Sequence, residues 1–238
     1  MNRTIKIASY NIRKAVGLDW KRTPGRIHDV LAELNADIVI LQEADRRFGS
    51  RAGVLSPDIL ADELDYKFVD VAKRPLSHGW HGNAILYRCP LQPISATTVE
   101  IPCLEPRGAV SAVFDLQHGQ RLQVIGTHLS LFRSVRKKQI RAIIDHAKTD
   151  ASDLPTVIGG DFNERHSKTL EDILPPNYRL VTPGLSFHAA RPMLNFDRFL
   201  IKGAELSVKN ASVHTSDNSR IASDHLPVVM DINISSTK

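Results

Sequence analysis

Short apolar runs, rich in β-branched residues and bounded by turn residues, recur along the whole chain and constrain its fold more than any other feature. Runs of this length predict β-strands. Some are separated only by a tight turn, such as residues 117–120 (QHGQ), which is too short for the crossover that parallel strands need. The predicted strands are at residues 4–10, 37–41, 66–71, 83–88, 94–100, 109–116, 121–127, 155–159, 196–201, 205–212 and 227–232.

Helix signals are fewer. Thr23 followed by Pro24 is typical of a helix N-cap with proline in the first turn, and helices are also predicted near residues 56–64 and 134–148. The first helix has an apolar face at helical spacing, formed by Ile27, Val30, Leu31 and Leu34. Strands therefore outnumber helices. This favours a single α/β domain over residues 1–238, with two mainly antiparallel sheets packed face to face and the helices outside.

The length and composition agree with this expectation. The chain has 238 residues, of which 42% are hydrophobic and 24% charged. No apolar run approaches the ~20 residues needed to span a bilayer, and the N-terminus leads directly into a strand pattern. We therefore expect a cytoplasmic monomer without stable membrane association. Cys89 and Cys103 belong to no metal-binding cluster and are expected to be reduced thiols. The formal net charge of +5 favours a polyanionic partner such as nucleic acid.

Polar residues follow several of the apolar runs directly. A single Asp or Asn after a strand is usually a turn former, but the repetition in this chain indicates side chains collected on one rim. Asp197 lies inside a predicted strand, and a buried carboxylate there requires a partner such as a protonated imidazole. The other positions are Asn11, Glu43, His128, Asp161, Asn163, Asp224 and His225.

These residues lie in motifs that resemble the endonuclease/exonuclease/phosphatase superfamily, the deoxyribonuclease I-like metal-dependent phosphoesterases. The motifs occur in the family's order and span nearly the whole chain. They are YNIR (10–13), LQE (41–43), GTHL (126–129), GGDFN (159–163), FDR (196–198) and SDHLP (223–227). The resemblance implies a four-layer α/β sandwich with the site on one rim of the two sheets.

The resemblance also implies catalytic roles. Asp161 and Asn163 would contact the scissile phosphate and its attacking water. His225 would pair with Asp197, and either this dyad or Asp161 would activate the water. His128 would protonate the leaving oxygen or bind the phosphate.

A metal site and a clear approach for the phosphate are implied as well. Glu43 is the predicted ligand of Mg²⁺ or Mn²⁺, with Asn11 beside the same ion and Asp224 completing its coordination. Gly159 and Gly160 would keep the approach to the phosphate free of side chains.

Basic residues give less specific signals. Arg13 is a candidate phosphate contact, with a surface role equally open, and Arg107 is a candidate substrate contact. Three basic residues lie along the helix predicted at 134–148 and just before its start. A solvated helix face is favoured for them over a surface that binds a polyanion. They are Arg133, Lys137 and Arg141.

The function predicted from these features is divalent-metal-dependent phosphodiester hydrolysis, with a nuclease acting on DNA favoured. The alternatives are a phospholipid or sphingomyelin-type phosphodiesterase and an inositol-phosphate or nucleotide phosphatase. A catalytically silent nucleic-acid-binding module is the third possibility, disfavoured because all the motif residues are present.

Overall fold

The computed structural model describes residues 4–116, 119–150 and 154–235. Its helices are α1 (Pro24–Leu34), α2 (Pro57–Leu64), α3 (Arg133–Asp150), α4 (Ser167–Glu171) and α5 (Asp217–Ala222). Its strands are β1 (Thr4–Asn11), β2 (Ile38–Gln42), β3 (Tyr66–Phe68), β4 (Ala84–Arg88), β5 (Gln92–Val99), β6 (Ala109–Asp115), β7 (Arg121–His128), β8 (Thr156–Asp161), β9 (Tyr178–Val181), β10 (Asp197–Lys202), β11 (Leu206–Val213) and β12 (Val228–Ile234). Within the described residues, no helix combines the length and apolar character needed to cross a membrane.

The strands form two six-stranded sheets of matching design. Their orders are β11-β12-β1-β2-β4-β3 and β5-β6-β7-β8-β10-β9. Each sheet has one parallel pair at its centre, β1 with β2 and β7 with β8, and is otherwise antiparallel. The predicted sandwich of mainly antiparallel sheets is confirmed.

Apolar clusters define the layers. The first cluster lies between the sheets and includes Ile7 and Ile40 from one sheet and Val124 and Phe199 from the other. A second cluster packs α1 against the outer face of the first sheet, and a third packs the buried isoleucines of α3 against the outer face of the second sheet. Burial on both faces explains why the central strands are continuous apolar runs.

The predicted helices and strands are all found, with bounds that shift by a few residues. The structure adds β9, α4 and α5, which the sequence pattern did not predict. Thr23 is the N-cap of α1 and Pro24 lies in its first turn, as predicted, although the Thr23 side chain makes no capping hydrogen bond. The turn predicted at residues 117–120 falls between β6 and β7, and residues 117 and 118 lie outside the described residues.

The paired glycines of β8 serve packing, which corrects the prediction that they clear the approach to the phosphate. A Cβ on Gly159 would lie 2.6 Å from Ile40 Cδ1 of the opposite sheet. A Cβ on Gly160, whose φ is +153°, would lie 1.9 Å from the Thr127 carbonyl oxygen. Glycine is therefore needed here because the sheets, and strands β7 and β8, approach too closely for a side chain.

Candidate active site

The two central parallel pairs bring their polar ends to one rim of the sandwich. Asn11 ends β1 opposite Gln42, and Glu43 follows β2 directly. His128 ends β7 opposite Asp161, the last residue of β8. Because the carboxyl ends of parallel strands meet at one edge of a sheet, residues that are distant in sequence become neighbours.

The Asp161 carboxylate lies at the centre of the rim and is almost completely buried, at 1% exposure. Its Oδ2 accepts a hydrogen bond from Asn11 Nδ2 at 3.1 Å and lies 3.3 Å from His128 Nε2 and 3.6 Å from His225 Nε2. Its Oδ1 accepts from the backbone N–H of Asn163 at 3.0 Å. This number of donors offsets the cost of burying the charge.

His225 lies between two carboxylates. Its Nδ1 is 2.8 Å from Asp197 Oδ2, which also accepts a 2.6 Å hydrogen bond from Ser186 Oγ. Burial disfavours the charged ring, but the charges of Asp197 and Asp161 outweigh burial and raise the pKa of His225 to about 9. His225 is therefore protonated at neutral pH, with Nδ1 donating to Asp197 and Nε2 directed toward Asp161.

His128 differs from His225 in its charge state. Burial lowers the pKa of His128 to about 3, although the charge of Asp161 favours protonation. The two histidines of the rim therefore differ at neutral pH, since His128 is neutral and His225 is a cation. Such a difference allows one ring to donate a proton or hydrogen bond while the other remains uncharged.

Glu43 and Asp224 each face a cation from the turn after β1. Lys14 Nζ contacts Glu43 Oε2, and Arg13 Nε lies 3.3 Å from Asp224 Oδ2. Among residues 4–116, 119–150 and 154–235, no cluster of three His, Cys, Asp or Glu side chains is arranged to hold a metal ion. A hydrated Mg²⁺, however, needs only one or two carboxylates, because it retains several waters. The Glu43 carboxylate already binds one cation, the ammonium group of Lys14. The Asn11 amide lies at the end of the adjoining strand. A carboxylate and an amide oxygen placed in this way fit a hydrated divalent cation.

Several rim residues have left-handed backbone conformations, which are unfavourable for Arg, Lys and Glu and less so for Asn. The φ angles are 45° at Arg13, 58° at Lys14, 54° at Glu43 and 50° at Asn163. Strained backbone of this kind concentrates at functional sites, where the surrounding structure maintains it. The strain supports a functional role for this rim independently of the side-chain chemistry.

Comparison with known proteins agrees with this geometry. The model of the Endonuclease/Exonuclease/phosphatase family matches residues 8–225. The chain belongs to this family. Members of the family are hydrolytic phosphoesterases that generally use divalent metals, and the fold described above is that of the family.

Individual relatives are distant. The uncharacterised protein YbhP of Escherichia coli K12 is 24% identical, with 97% of each chain covered. Among solved structures, an endonuclease/exonuclease/phosphatase from Bacteroides vulgatus superposes with a TM-score of 0.77 at 18% identity, covering 98% of this chain and 100% of that one. D. rerio TDP2 complexed with a single-strand DNA product gives 0.74 at 19% identity, with 97% and 99% covered. The human Nocturnin catalytic domain with bound sulfate gives 0.74 at 17% identity, with 98% of each chain covered.

The predicted site residues of this family member fall into two groups. Asn11, Asp161, Asn163, His128, Asp197 and His225 form one hydrogen-bonded or ion-paired cluster. Glu43, after β2, and Asp224, before β12, are instead each paired with a cation from the turn after β1. The two predicted arginines already make contacts with other residues of the protein. Arg13 donates to the Gly17 carbonyl and stacks over Trp20, and Arg107 pairs with Glu105 at 3.0 Å. Arg107, unlike Arg13, also lines the cavity beside the site.

Several residues that support the site were not predicted. Ser186 orients Asp197, and its loop is fastened by Leu226 N donating to the Ser186 carbonyl. Lys14 contacts Glu43, and the adjacent basic pair at 13–14 was its only sequence signal. Arg136 is buried in α3, pairs with Glu164 at 2.8 Å and donates to the carbonyls of residues 130 and 131. Arg136 therefore fastens the loops that follow β7 and β8.

Proposed function

We propose that this protein is a divalent-metal-dependent phosphodiester hydrolase, and that its preferred substrate is DNA. The observation that carries the proposal is the buried Asp161 carboxylate, which Asn11, His128 and His225 surround on the rim that also bears Glu43. Family membership makes phosphoester hydrolysis the expected reaction class, and the rim has the groups that such a reaction requires.

In this proposal Asp161 positions the attacking water and accepts its proton. His225 is disfavoured as the base at neutral pH, because the charges of Asp197 and Asp161 outweigh burial and raise its pKa. Its Nε2–H is instead suited to donate to a phosphate oxygen as negative charge develops in the transition state, while Asp197 holds the ring. Of the two open assignments for the base, we therefore favour Asp161 over the histidine dyad.

Asn163 and His128 complete the protein's part in the reaction. The side chain of Asn163 is anchored by Nδ2 donating to the Leu129 carbonyl at 3.0 Å, which leaves its second amide hydrogen for a phosphate oxygen. His128, which is neutral and buried, is placed to hydrogen-bond the phosphate or the leaving oxygen. Glu43 and Asn11 would hold Mg²⁺ or Mn²⁺, which when bound neutralises the phosphate oxygens and favours attack by water.

DNA as the substrate is supported by charge. The formal net charge is +5 and the sequence pI about 9.3, both of which favour a polyanion. Among the structural neighbours, D. rerio TDP2 was crystallised with a single-strand DNA product. Loss of catalytic residues would leave a binding module, but every residue of the cluster is present.

A second candidate, hydrolysis of phospholipid head groups, is favoured by one observation. Large apolar side chains are exposed on two adjoining loops beside the rim, with Leu104 at 78%, Leu131 at 64% and Phe132 at 57% exposure. The loops touch, since Leu131 N donates to Glu105 Oε1 at 3.4 Å. Exposed apolar residues near basic ones are typical of proteins that bind lipid surfaces.

The test is hydrolysis of plasmid DNA, a bis-aryl phosphodiester and phospholipid vesicles, each with Mg²⁺, Mn²⁺ or a chelator. We expect metal-dependent cleavage of DNA and of the aryl diester. Asn163→Ala and His225→Ala should each lower the rate by about 100-fold or more, as loss of a transition-state hydrogen bond does. Asn210→Ala, in the exposed edge strand β11, is the matched control. Full activity in both site variants, with thermal unfolding unchanged, would disprove the assignment, and cleavage of vesicles alone would favour the second candidate.

A further inference from the structure

A cavity of about 340 Å³ opens beside the candidate active site and joins it to an additional basic surface. One wall belongs to the site and includes Glu43 and His128. The rest of the lining includes residues 45–48 and Arg51, which follow β2, and His81 and Gly82 before β4. A molecule bound at Glu43 and His128 would therefore lie in the same cavity as residues 45–48 and Arg51.

The cavity has more cations than its carboxylates neutralise. The cations in its lining are Lys14, Arg46, Arg47, Arg51 and Arg107, and the carboxylates are Glu43, Asp45 and Glu105. Glu43 is paired with Lys14, and Glu105 with Arg107. Asp45 accepts from Ser77 Oγ and from the backbone N–H of residue 78 and makes no ion pair with an arginine among the described residues. With five cations and three carboxylates, the lining keeps an excess of two positive charges.

Three guanidinium groups consequently have no anionic partner among the described residues. Arg46 and Arg47 are exposed, and their side chains make no hydrogen bond or ion pair there. Arg51 Nη1 lies 3.1 Å from His81 Nδ1. Because a guanidinium only donates, the ring nitrogen of His81 must accept. His81 is therefore neutral in this contact and leaves the charge of Arg51 uncompensated.

The segment that bears these arginines is fastened at its base. Arg46 N donates to the Ala52 carbonyl at 2.9 Å and Val54 N to the Ala44 carbonyl at 3.0 Å. A Cβ on Gly53 would lie 2.1 Å from the His78 ring, so the base of the segment also packs closely. The backbone that bears the arginines is thus fixed beside the cavity, whose lining also includes Phe48, at 82% exposure.

We propose that Arg46, Arg47 and Arg51 bind a second phosphate of the substrate, next to the scissile phosphate, so that the preferred substrate is a nucleic-acid strand and not an isolated single-phosphate diester. This inference rests on the proposed phosphodiesterase function. Arginine suits the role because its planar donors match phosphate oxygens in pairs. Contacts to phosphate do not read sequence. The exposed ring of Phe48 provides a surface on which an unpaired base stacks, also without sequence preference.

The first test compares hydrolysis, with Mn²⁺, of a thymidine dinucleotide with one phosphate and a thymidine trinucleotide with two. The wild-type enzyme should cleave the trinucleotide with a kcat/KM at least about 10-fold higher. In the Arg46→Ala/Arg47→Ala variant, the kcat/KM for the trinucleotide relative to the dinucleotide should fall by about the same factor. The fall should come mainly from a higher KM for the trinucleotide. Lys67→Ala/Lys209→Ala, which removes two exposed charges elsewhere, should leave the ratio unchanged. An unchanged ratio in the arginine variant would overturn the proposal.

The second test does not depend on hydrolysis, so it separates this inference from the proposed function. Binding of a short fluorescein-labelled oligothymidylate is followed by fluorescence anisotropy in the presence of chelator. The arginine variant should bind at least about 10-fold more weakly than the wild type, and the lysine variant should bind like the wild type. Equal weakening in both variants would indicate general charge attraction and would reject the cavity as the binding site. Absence of hydrolysis together with arginine-dependent binding would contradict the proposed function and leave the cavity assignment standing.

Discussion

At the residue scale, the main determinant of the candidate site is the placement of His225 between Asp197 and Asp161. An isolated histidine in this buried position would be neutral, because burial disfavours the charged form. The two carboxylates reverse this preference and raise the pKa of His225 to about 9. The reversal is a property of three residues from separate segments and determines which groups can donate a proton at neutral pH.

Replacing Asp197 with Asn should lower the pKa of His225, since the nearest carboxylate charge is removed while burial remains. The pKa in the folded wild type lies above the ordinary value of 6.5. The stabilisation that protonated His225 gives the folded state is therefore fully present below about pH 6.5. It is lost as the pH rises through about 9. It amounts to about 3 kcal/mol.

The measurements are an NMR titration of the His225 ring and the free energy of unfolding between pH 6 and 10. In Asp197→Asn the ring should titrate at lower pH, and the loss of stability between pH 6.5 and 9 should become much smaller. An identical ring titration in the variant and the wild type would refute the role of Asp197.

At the element scale, the end of β8 is held in place by close contact with β7 and by α3. Gly160→Ala should destabilise the protein by more than about 3 kcal/mol, because its Cβ would meet the backbone of Thr127 and its φ of +153° disfavours other residues. Gly25→Ala is the matched control, because Gly25 lies in α1 with no atom within 4 Å of the new Cβ. Alanine there should stabilise the protein by up to about 1 kcal/mol. Urea denaturation measures both changes, and equal effects would contradict the packing argument.

The pair between Arg136 and Glu164 makes a separate prediction for α3. Arg136→Met should cost about 3–5 kcal/mol, because it leaves a buried carboxylate without its partner. The exposed pair of Lys148 and Asp145 lies on the same helix, with side chains 55% and 72% exposed, and Lys148→Met should cost less than about 1 kcal/mol. Denaturation midpoints report both values. A small cost at Arg136 would show that the loops after β7 and β8 do not depend on α3.

The pH dependence of this pair follows from Glu164. Burial opposes ionisation of Glu164, but its hydrogen bonds with Arg136 and the backbone outweigh burial and lower its pKa. The stability it contributes is therefore present above the ordinary carboxylate range and is lost as the pH falls through the lowered value. Arg136→Met should make acid unfolding less steep.

At the scale of the whole molecule, two sheets of the same strand pattern place the ends of β1, β2, β7 and β8 on a common rim. The proposed metal site belongs to this scale, since it joins Glu43 of one sheet to the Asp161 cluster of the other through Asn11. A ligand that binds only the folded protein raises its melting temperature. Mn²⁺ should therefore raise the melting temperature of the wild-type protein, measured by calorimetry.

Glu43→Gln should abolish most of this increase, because the amide has lost the charge that holds the ion. Glu100→Gln, at an exposed position with a side chain 82% exposed, is the control and should behave like the wild type. An equal increase in all three proteins would place the ion elsewhere.

The sequence alone determined the layered architecture and most of the residues of the candidate site. Apolar alternation and continuous apolar runs specify strands and their burial locally, and the polar residues at strand ends are visible in the same pattern. Asn11, Asp161, Asp197 and His225 were predicted in this way, together with the family motifs. The short elements β9, α4 and α5 have too few residues for a period to be recognised.

Only the tertiary structure decided which of these groups touch and what charge they have. Ser186, Lys14 and Arg136 act through contacts with other segments of the chain, and the basic pair at 13–14 is the single local sign of any of them. The glycines of β8 were assigned the wrong role, because the close approach of Ile40 and Thr127 exists only after the sheets pack. The arginines at 46, 47 and 51 are an ordinary basic loop in the sequence, and they become a candidate phosphate site because the fold sets that loop beside Glu43 and His128. Periodicity is a short-range property of the chain, whereas charge state and cavity shape depend on long-range proximity.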